Sequence, residues 1–201
     1  MGVELDYAEY LSYGTKKVVI AFAGGNQNRY QFGPTLTKLG LSHILTRDST
    51  QMYHMFGVKG IGDRNAVATY IKSFIYSGFY VITIGVSSGA YAALLYGQLA
   101  DVHETYAISP LTGRDLDDFD PRWHKQIYDP SMPQLDDLRK YFKDGPNMKC
   151  RAYISNGEAC ELDRQMATRI KIKDIVLIGG YAHGKLAQAM RDRGMFKEIL
   201  G

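Results

Sequence analysis

The sequence predicts an α/β fold: a mainly parallel central sheet flanked by helices on both faces, in a single domain. Three observations carry this reading. Short β-branched apolar runs recur at Lys16–Ala23, Phe79–Ile84 and Asp174–Ile178. Between them lie segments of helical periodicity, such as Val67, Tyr70, Ile71, Phe74 and Ile75. Strands that alternate with helices are joined by crossovers and so pair in parallel. At 201 residues the chain can bury a sizeable core without a second domain.

In chain order, residues 3–13 alternate weakly and predict a short edge strand. Lys16–Ala23 (KKVVIAFA) reads as a buried central strand that ends in the polar, glycine-bearing loop Gly24–Asn28. Leu41–Leu45 predicts a second strand. Asp63 then has the chemistry of an N-cap for the helix carrying the Val67–Ile75 stripe. After the Phe79–Ile84 strand, an Ala- and Leu-rich helix follows. Glu104–Ile108 reads as a strand closed by Ser109-Pro110.

Residues 111–147 change character, being rich in Asp and Pro and holding the only tryptophan, Trp123. The stretch is too long for a simple connection and reads as a lid-like insertion with a helix over Gln134–Phe142. Cys150–Ser155 and Asp174–Ile178 predict two more strands. A helix over Asp163–Lys171 lies between them, and an amphipathic helix over Lys185–Leu200 closes the chain.

The chemistry centres on Phe79–Gly97, FYVITIGVSSGAYAALLYG. A buried strand breaks into Gly85-Val86-Ser87-Ser88-Gly89 and at once becomes a small-residue helix. Strand, G-x-S-x-G and helix together form the setting of a nucleophile elbow, which puts Ser87 at the tip of a tight turn. A serine hydroxyl is a weak nucleophile and needs a general base. Of the five histidines, His183 is the best placed, in a glycine-flanked loop between the last strand and the last helix. His43 reads as structural; His54, His103 and His124 read as surface residues. The base needs a carboxylate to hold its tautomer. The loop after the strand ending at Ser155 offers Asp163, with Glu161 and Glu158 as alternatives. Oxyanion donors are expected from the backbone N–H groups of Ser88, just past the nucleophile, and Gly25, after the first central strand. Gly24, Asn26 and Trp123 are the candidate substrate contacts.

Other classes find little support. Net charge is +3 with no basic block, which argues against nucleic acid. Gly24–Asn28 matches neither dinucleotide nor P-loop patterns. Asp115, Asp117, Asp118 and Asp120 do not fit EF-hand spacing and read as a solvated acidic loop. No apolar run reaches membrane-spanning length, and the first residues lack the apolar core of a signal peptide. With Cys150 and Cys160 read as thiols, a cytoplasmic protein is expected.

The motifs AFAGGN, GVSSGAYAALLYG, NGEACELD and GGYAHG occur in the order seen in α/β-hydrolases, and the chain resembles a small serine esterase of that superfamily. In the family's pattern the acid position falls on Cys160, three residues before Asp163. The resemblance implies a Ser–His–Asp/Glu triad and acyl transfer with no metal or organic cofactor. The expected activity is hydrolysis of a carboxylic ester, the substrate being a small-molecule or glycan-linked acyl ester. Alternatives are an acyltransferase or thioesterase on the same triad, or a hydrolase fold kept as a non-catalytic binding module.

Overall fold

The computed structural model describes residues 2–5, 8–25, 30–48, 53–112, 136–157 and 160–201. Asn26, Trp123, His124, Glu158 and the Asp115–Asp120 cluster lie outside them, as does most of the 111–147 insertion. The described strands are β1 (Gly2–Leu5), β2 (Ala8–Leu11), β3 (Lys17–Phe22), β4 (Ser42–Thr46), β5 (Tyr80–Val86), β6 (Glu104–Ile108), β7 (Lys149–Ser155) and β8 (Asp174–Ile178). They form one sheet in the order β1-β2-β4-β3-β5-β6-β7-β8. β1–β2 and β2–β4 are antiparallel, and every pair from β4 to β8 is parallel. In place of the single edge strand expected over residues 3–13 there are two antiparallel strands, β1 and β2.

The helices are α1 (Gly33–Lys38), α2 (Arg64–Tyr76), α3 (Ser88–Ala100), α4 (Glu161–Arg169), α5 (Leu186–Asp192) and α6 (Met195–Leu200). The period-two alternation of β3 explains the layering. Val18, Ile20 and Phe22 face one core with Val67 and Ile71 of α2 and the apolar side chains of α3. Val19 and Ala21 face the other, with Leu36 of α1, Leu186 and Met190 of α5, and Phe196 and Leu200 of α6. Asp63 caps α2 as its sequence predicts, accepting from the Ala66 N–H at 2.9 Å.

Two helices differ from expectation. The closing helix is split into α5 and α6 at Gly194, whose left-handed φ of 72° ends one helix and starts the next. In place of a helix over Gln134–Phe142, the described part holds a single 3-10 turn, Leu138–Lys140, capped by Asp137. Both roots of the insertion are pinned to the body. Leu138 N–H donates to Thr112 O at 2.8 Å, and Arg64 pairs with Asp136 at 2.8 Å.

The chain turns to the left of β3 to form β4 and to the right to form β5, so β3 and β5 flank a switch point. Ligands in open parallel sheets bind beyond the carboxyl ends of strands at such a point. The loop after β3 carries Gly24 and Gly25, and the turn after β5 carries Ser87.

Candidate active site

Ser87 sits between β5 and α3 with φ 54° and ψ −118°, a backbone conformation that a residue with a Cβ adopts only under constraint. The constraint comes from close packing on both sides. A Cβ on Gly85 would lie 2.0 Å from Gly89 O, and one on Gly89 would lie 2.2 Å from Phe22 O. Both glycines therefore let α3 approach β3 and β5 closely enough to force the turn. Ser87 N–H is held by Ile108 O of β6 at 2.9 Å.

His183 Nε2 lies 2.9 Å from Ser87 Oγ. Its Nδ1 lies 2.9 and 3.0 Å from the two carboxylate oxygens of Asp163. A carboxylate only accepts, so Nδ1 carries the proton and Nε2 is the free base facing the hydroxyl. Asp163 is buried, at 3% exposure, in the first turn of α4, where the helix dipole favours negative charge.

Between Asp163 and Glu161 the helix register decides, Glu158 lying outside the described residues. Cys160, Asp163, Met166, Ala167 and Ile170 face inward, while Glu161 and Arg164 face out. Glu161 is paired with Arg164 at 2.7 Å and does not approach His183. Cys160 occupies the position where the family pattern expects the acid, and Asp163 reaches in from the same helical face one turn later. The Cys160 thiol is held above its usual pKa, first by burial and then by the Asp163 charge; it donates to Tyr181 O at 3.6 Å.

The loop after β8 must travel back across β7 and β6 to bring His183 to Ser87. Polar side chains at the ends of those strands draw it there. Ser155 Oγ accepts from Tyr181 N–H at 2.9 Å, and Asn156 Oδ1 accepts from Gly180 N–H at 2.7 Å. Ser109, at φ 47°, donates its hydroxyl to His183 O at 3.4 Å. Sequence reasoning missed these three residues, although each is a polar residue ending or just following a rim strand.

On the other side of Ser87, Gly24 lies against β5: a Cβ there would meet Val86 O at 2.7 Å. Gly24 N–H donates to Gln31 Oε1 at 2.9 Å, and Ala23 N–H to Thr46 O at 3.1 Å. Gly25 N–H has no acceptor among the described residues, and Ser88 N–H, first in α3, has none within its helix. Gln31 had no signal in the sequence.

The other described histidines fall into two groups. His43 is buried, with Nδ1 2.7 Å from Leu41 O, and is structural as expected. His103 is exposed and stacks on Tyr80. His54, expected at the surface, is fully buried: consecutive left-handed residues, Tyr53 and His54, turn its ring under the loop after β3. Among the described residues, Cys150 and Cys160 are free thiols, no acidic, His or Cys cluster suits a metal, and no helix is long and apolar enough to cross a membrane.

No protein-family model matches the chain, and no curated protein matches it by sequence. Solved structures do match in fold. The capsule O-acetyltransferase of Neisseria meningitidis serogroup A aligns over 98% of this chain and 93% of its own, at 17% identity and a TM-score of 0.64. The Pyrococcus furiosus esterase aligns over 98% and 87%, at 16% identity and a TM-score of 0.65. MenH from S. aureus aligns over 98% and 100%, at 13% identity and a TM-score of 0.62. Topology, elbow and these alignments agree: the chain has the α/β-hydrolase fold, with serine, histidine and aspartate in triad array at the carboxyl end of its sheet.

Proposed function

We propose that the protein is a serine hydrolase that cleaves carboxylic esters through an acyl-enzyme. The unbroken line from Ser87 Oγ to His183 Nε2, and from Nδ1 to Asp163, carries this reading. Ser87 Oγ attacks the acyl carbonyl carbon and passes its proton to His183 Nε2. The carbonyl oxygen takes up the negative charge between the N–H groups of Gly25 and Ser88. Collapse of this intermediate breaks the ester C–O bond, and His183 gives its proton to the departing alcohol. Water, deprotonated by His183, then attacks the acyl-enzyme; the acyl C–Oγ bond breaks, His183 returns the proton to Ser87 Oγ, and the acid leaves.

Asp163 fixes the imidazole tautomer and stabilises the imidazolium formed in each step. The carboxylate beside His183 removes the main argument for a non-catalytic binding module. The polar sequence of the loop Gly25–Asn28 supports a small-molecule or glycan-linked acyl ester over a long lipid chain. The two buried free thiols support a reducing, cytoplasmic setting.

A second reading, acyl transfer to an alcohol or sugar in place of water, is supported by the full-length likeness in fold to the capsule O-acetyltransferase, a mutant of which was solved with CoA. The acylation half-reaction is the same, so a thioester donor fits it too.

The test is hydrolysis of 4-nitrophenyl acetate by wild type and Ser87→Ala. The reading requires about a 10⁴-fold or greater loss in kcat for the variant. Full activity in Ser87→Ala sinks it. Product analysis with a sugar acceptor present separates transfer from hydrolysis.

A further inference from the structure

We propose that His54 is a positioning residue for the reaction, holding the oxyanion loop through the carbonyl of Ala23. The inference rests on the reading of Gly25 N–H as an oxyanion donor and adds a residue that the triad chemistry does not use.

Four observations lead to it. The His54 ring is fully buried, and its Nε2 lies 3.2 Å from Ala23 O, two residues before Gly25. A carbonyl only accepts, so Nε2 carries the proton; the neutral ring then leaves Nδ1 as a lone pair, and Nδ1 has no hydrogen-bond partner among the described residues. A buried polar atom without a partner is a cost that packing alone would have avoided with an apolar side chain. The backbone that delivers the ring is itself costly, with left-handed φ at both Tyr53 (61°) and His54 (56°). Finally, the surroundings hold the residue in this one pose. Tyr96 of α3 donates its hydroxyl to His54 O at 2.6 Å, and His54 N–H donates to Asp48 Oδ2 at 2.9 Å. The Phe22 ring meets the imidazole edge-on at 5.3 Å.

The consequence for Gly25 is mechanical. Ala23 and Gly24 are gripped at three points: Ala23 N–H by Thr46 O, Ala23 O by His54, and Gly24 N–H by Gln31. The strand pairing ends at Phe22, so the ladder gives no further hold on the loop. An oxyanion donor lowers the barrier only when it is already in place as charge develops, since reorganisation during the reaction would cost what the hydrogen bond supplies. His54 supplies part of that preorganisation from behind the loop. The ring is kept neutral at pH 7 by burial, against the opposing pull of the Asp48 carboxylate.

The experiment compares wild type, His54→Gln and His54→Leu. Gln keeps an N–H donor near the Nε2 position; Leu fills the space without one. Expected for His54→Leu is a fall in kcat on 4-nitrophenyl acetate of about 10- to 100-fold with KM nearly unchanged, because the loss is confined to the transition state. His54→Gln should recover most of it. Equal kcat per folded molecule in all three, whatever their Tm, overturns the proposal. A measurement on the unsubstituted protein stands even where a variant does not fold. Nitrogen-15 histidine shifts at pH 7 must show His54 as the neutral tautomer protonated at Nε2, and an Nδ1–H tautomer or an imidazolium overturns the proposal. Failure of the hydrolase reading itself looks different: wild type would then show no Ser87-dependent turnover.

Discussion

The Asp163 carboxylate holds His183 Nδ1 with both of its oxygens, at 2.9 and 3.0 Å, from the first turn of the helix that follows β7. The acid is buried, so solvent competes little for its carboxylate oxygens. Removing its charge while keeping its shape leaves the histidine free to adopt the other tautomer. Asp163→Asn is therefore expected to lose about 10⁴-fold in kcat with little change in KM. Glu161→Gln, altering an exposed carboxylate paired to Arg164, should stay within about two-fold of wild type. Steady-state kinetics on one aryl ester checks both.

Gly24 packs its backbone against the end of β5. A methyl group there would meet Val86 O at 2.7 Å and Val86 Cγ1 at 3.3 Å, and the carbonyl cannot yield without disturbing the elbow strand. Gly24→Ala should push the loop away from Ser87 and lower kcat by about 10- to 100-fold, with KM less affected. Gly25→Ala, where a methyl would meet nothing within 4 Å, should be milder.

The His183 loop is drawn across the sheet by side chains at the ends of β6 and β7. Ser155→Ala leaves the half-buried Tyr181 N–H without its 2.9 Å acceptor. Stability should fall by about 1–3 kcal/mol, and kcat should fall further than the stability change explains, because His183 loses its anchor. Thermal melts and kinetics on the same preparation separate the two effects.

Burial holds the His54 pKa below its unfolded value of 6.5. Asp48 opposes the shift, and the Tyr96 hydroxyl packed nearby is itself driven upward by burial and stays neutral. The unfolded chain binds a proton at this residue first as pH falls, so the stability it contributes is complete above pH 6.5 and is lost below. Denaturant midpoints between about pH 5 and pH 6.5 should fall with pH in wild type and be flatter in His54→Gln. The carboxylates with lowered pKa values, Glu104, Asp136, Asp137 and the exposed Glu161, act below that window.

Much of this was legible in the chain. β5 is an uninterrupted β-branched run, and Gly85 and Gly89 bracket Ser87 because two backbones must meet there; both facts are local, and local facts can be read. The choice between Asp163 and Glu161 was not local. The segment is acidic throughout, and only the face that α4 turns to the core selects Asp163. His54 was misread for a related reason. It lies in irregular chain with no periodicity to mark an inward face, and the left-handed turn at Tyr53 and His54 is a product of tertiary packing. Gln31, Ser155 and Asn156 act through single hydrogen bonds to backbone that is distant in sequence or set by a later loop, and no composition or spacing encodes such contacts.

The central claim is that Ser87 is a nucleophile activated by His183. Incubation with a fluorophosphonate followed by peptide mass spectrometry tests it most directly. The structure predicts one phosphonyl adduct, on Ser87, with labelling abolished in Ser87→Ala and strongly slowed in His183→Ala. No adduct on the folded wild-type protein, or undiminished labelling of Ser87→Ala, would contradict it.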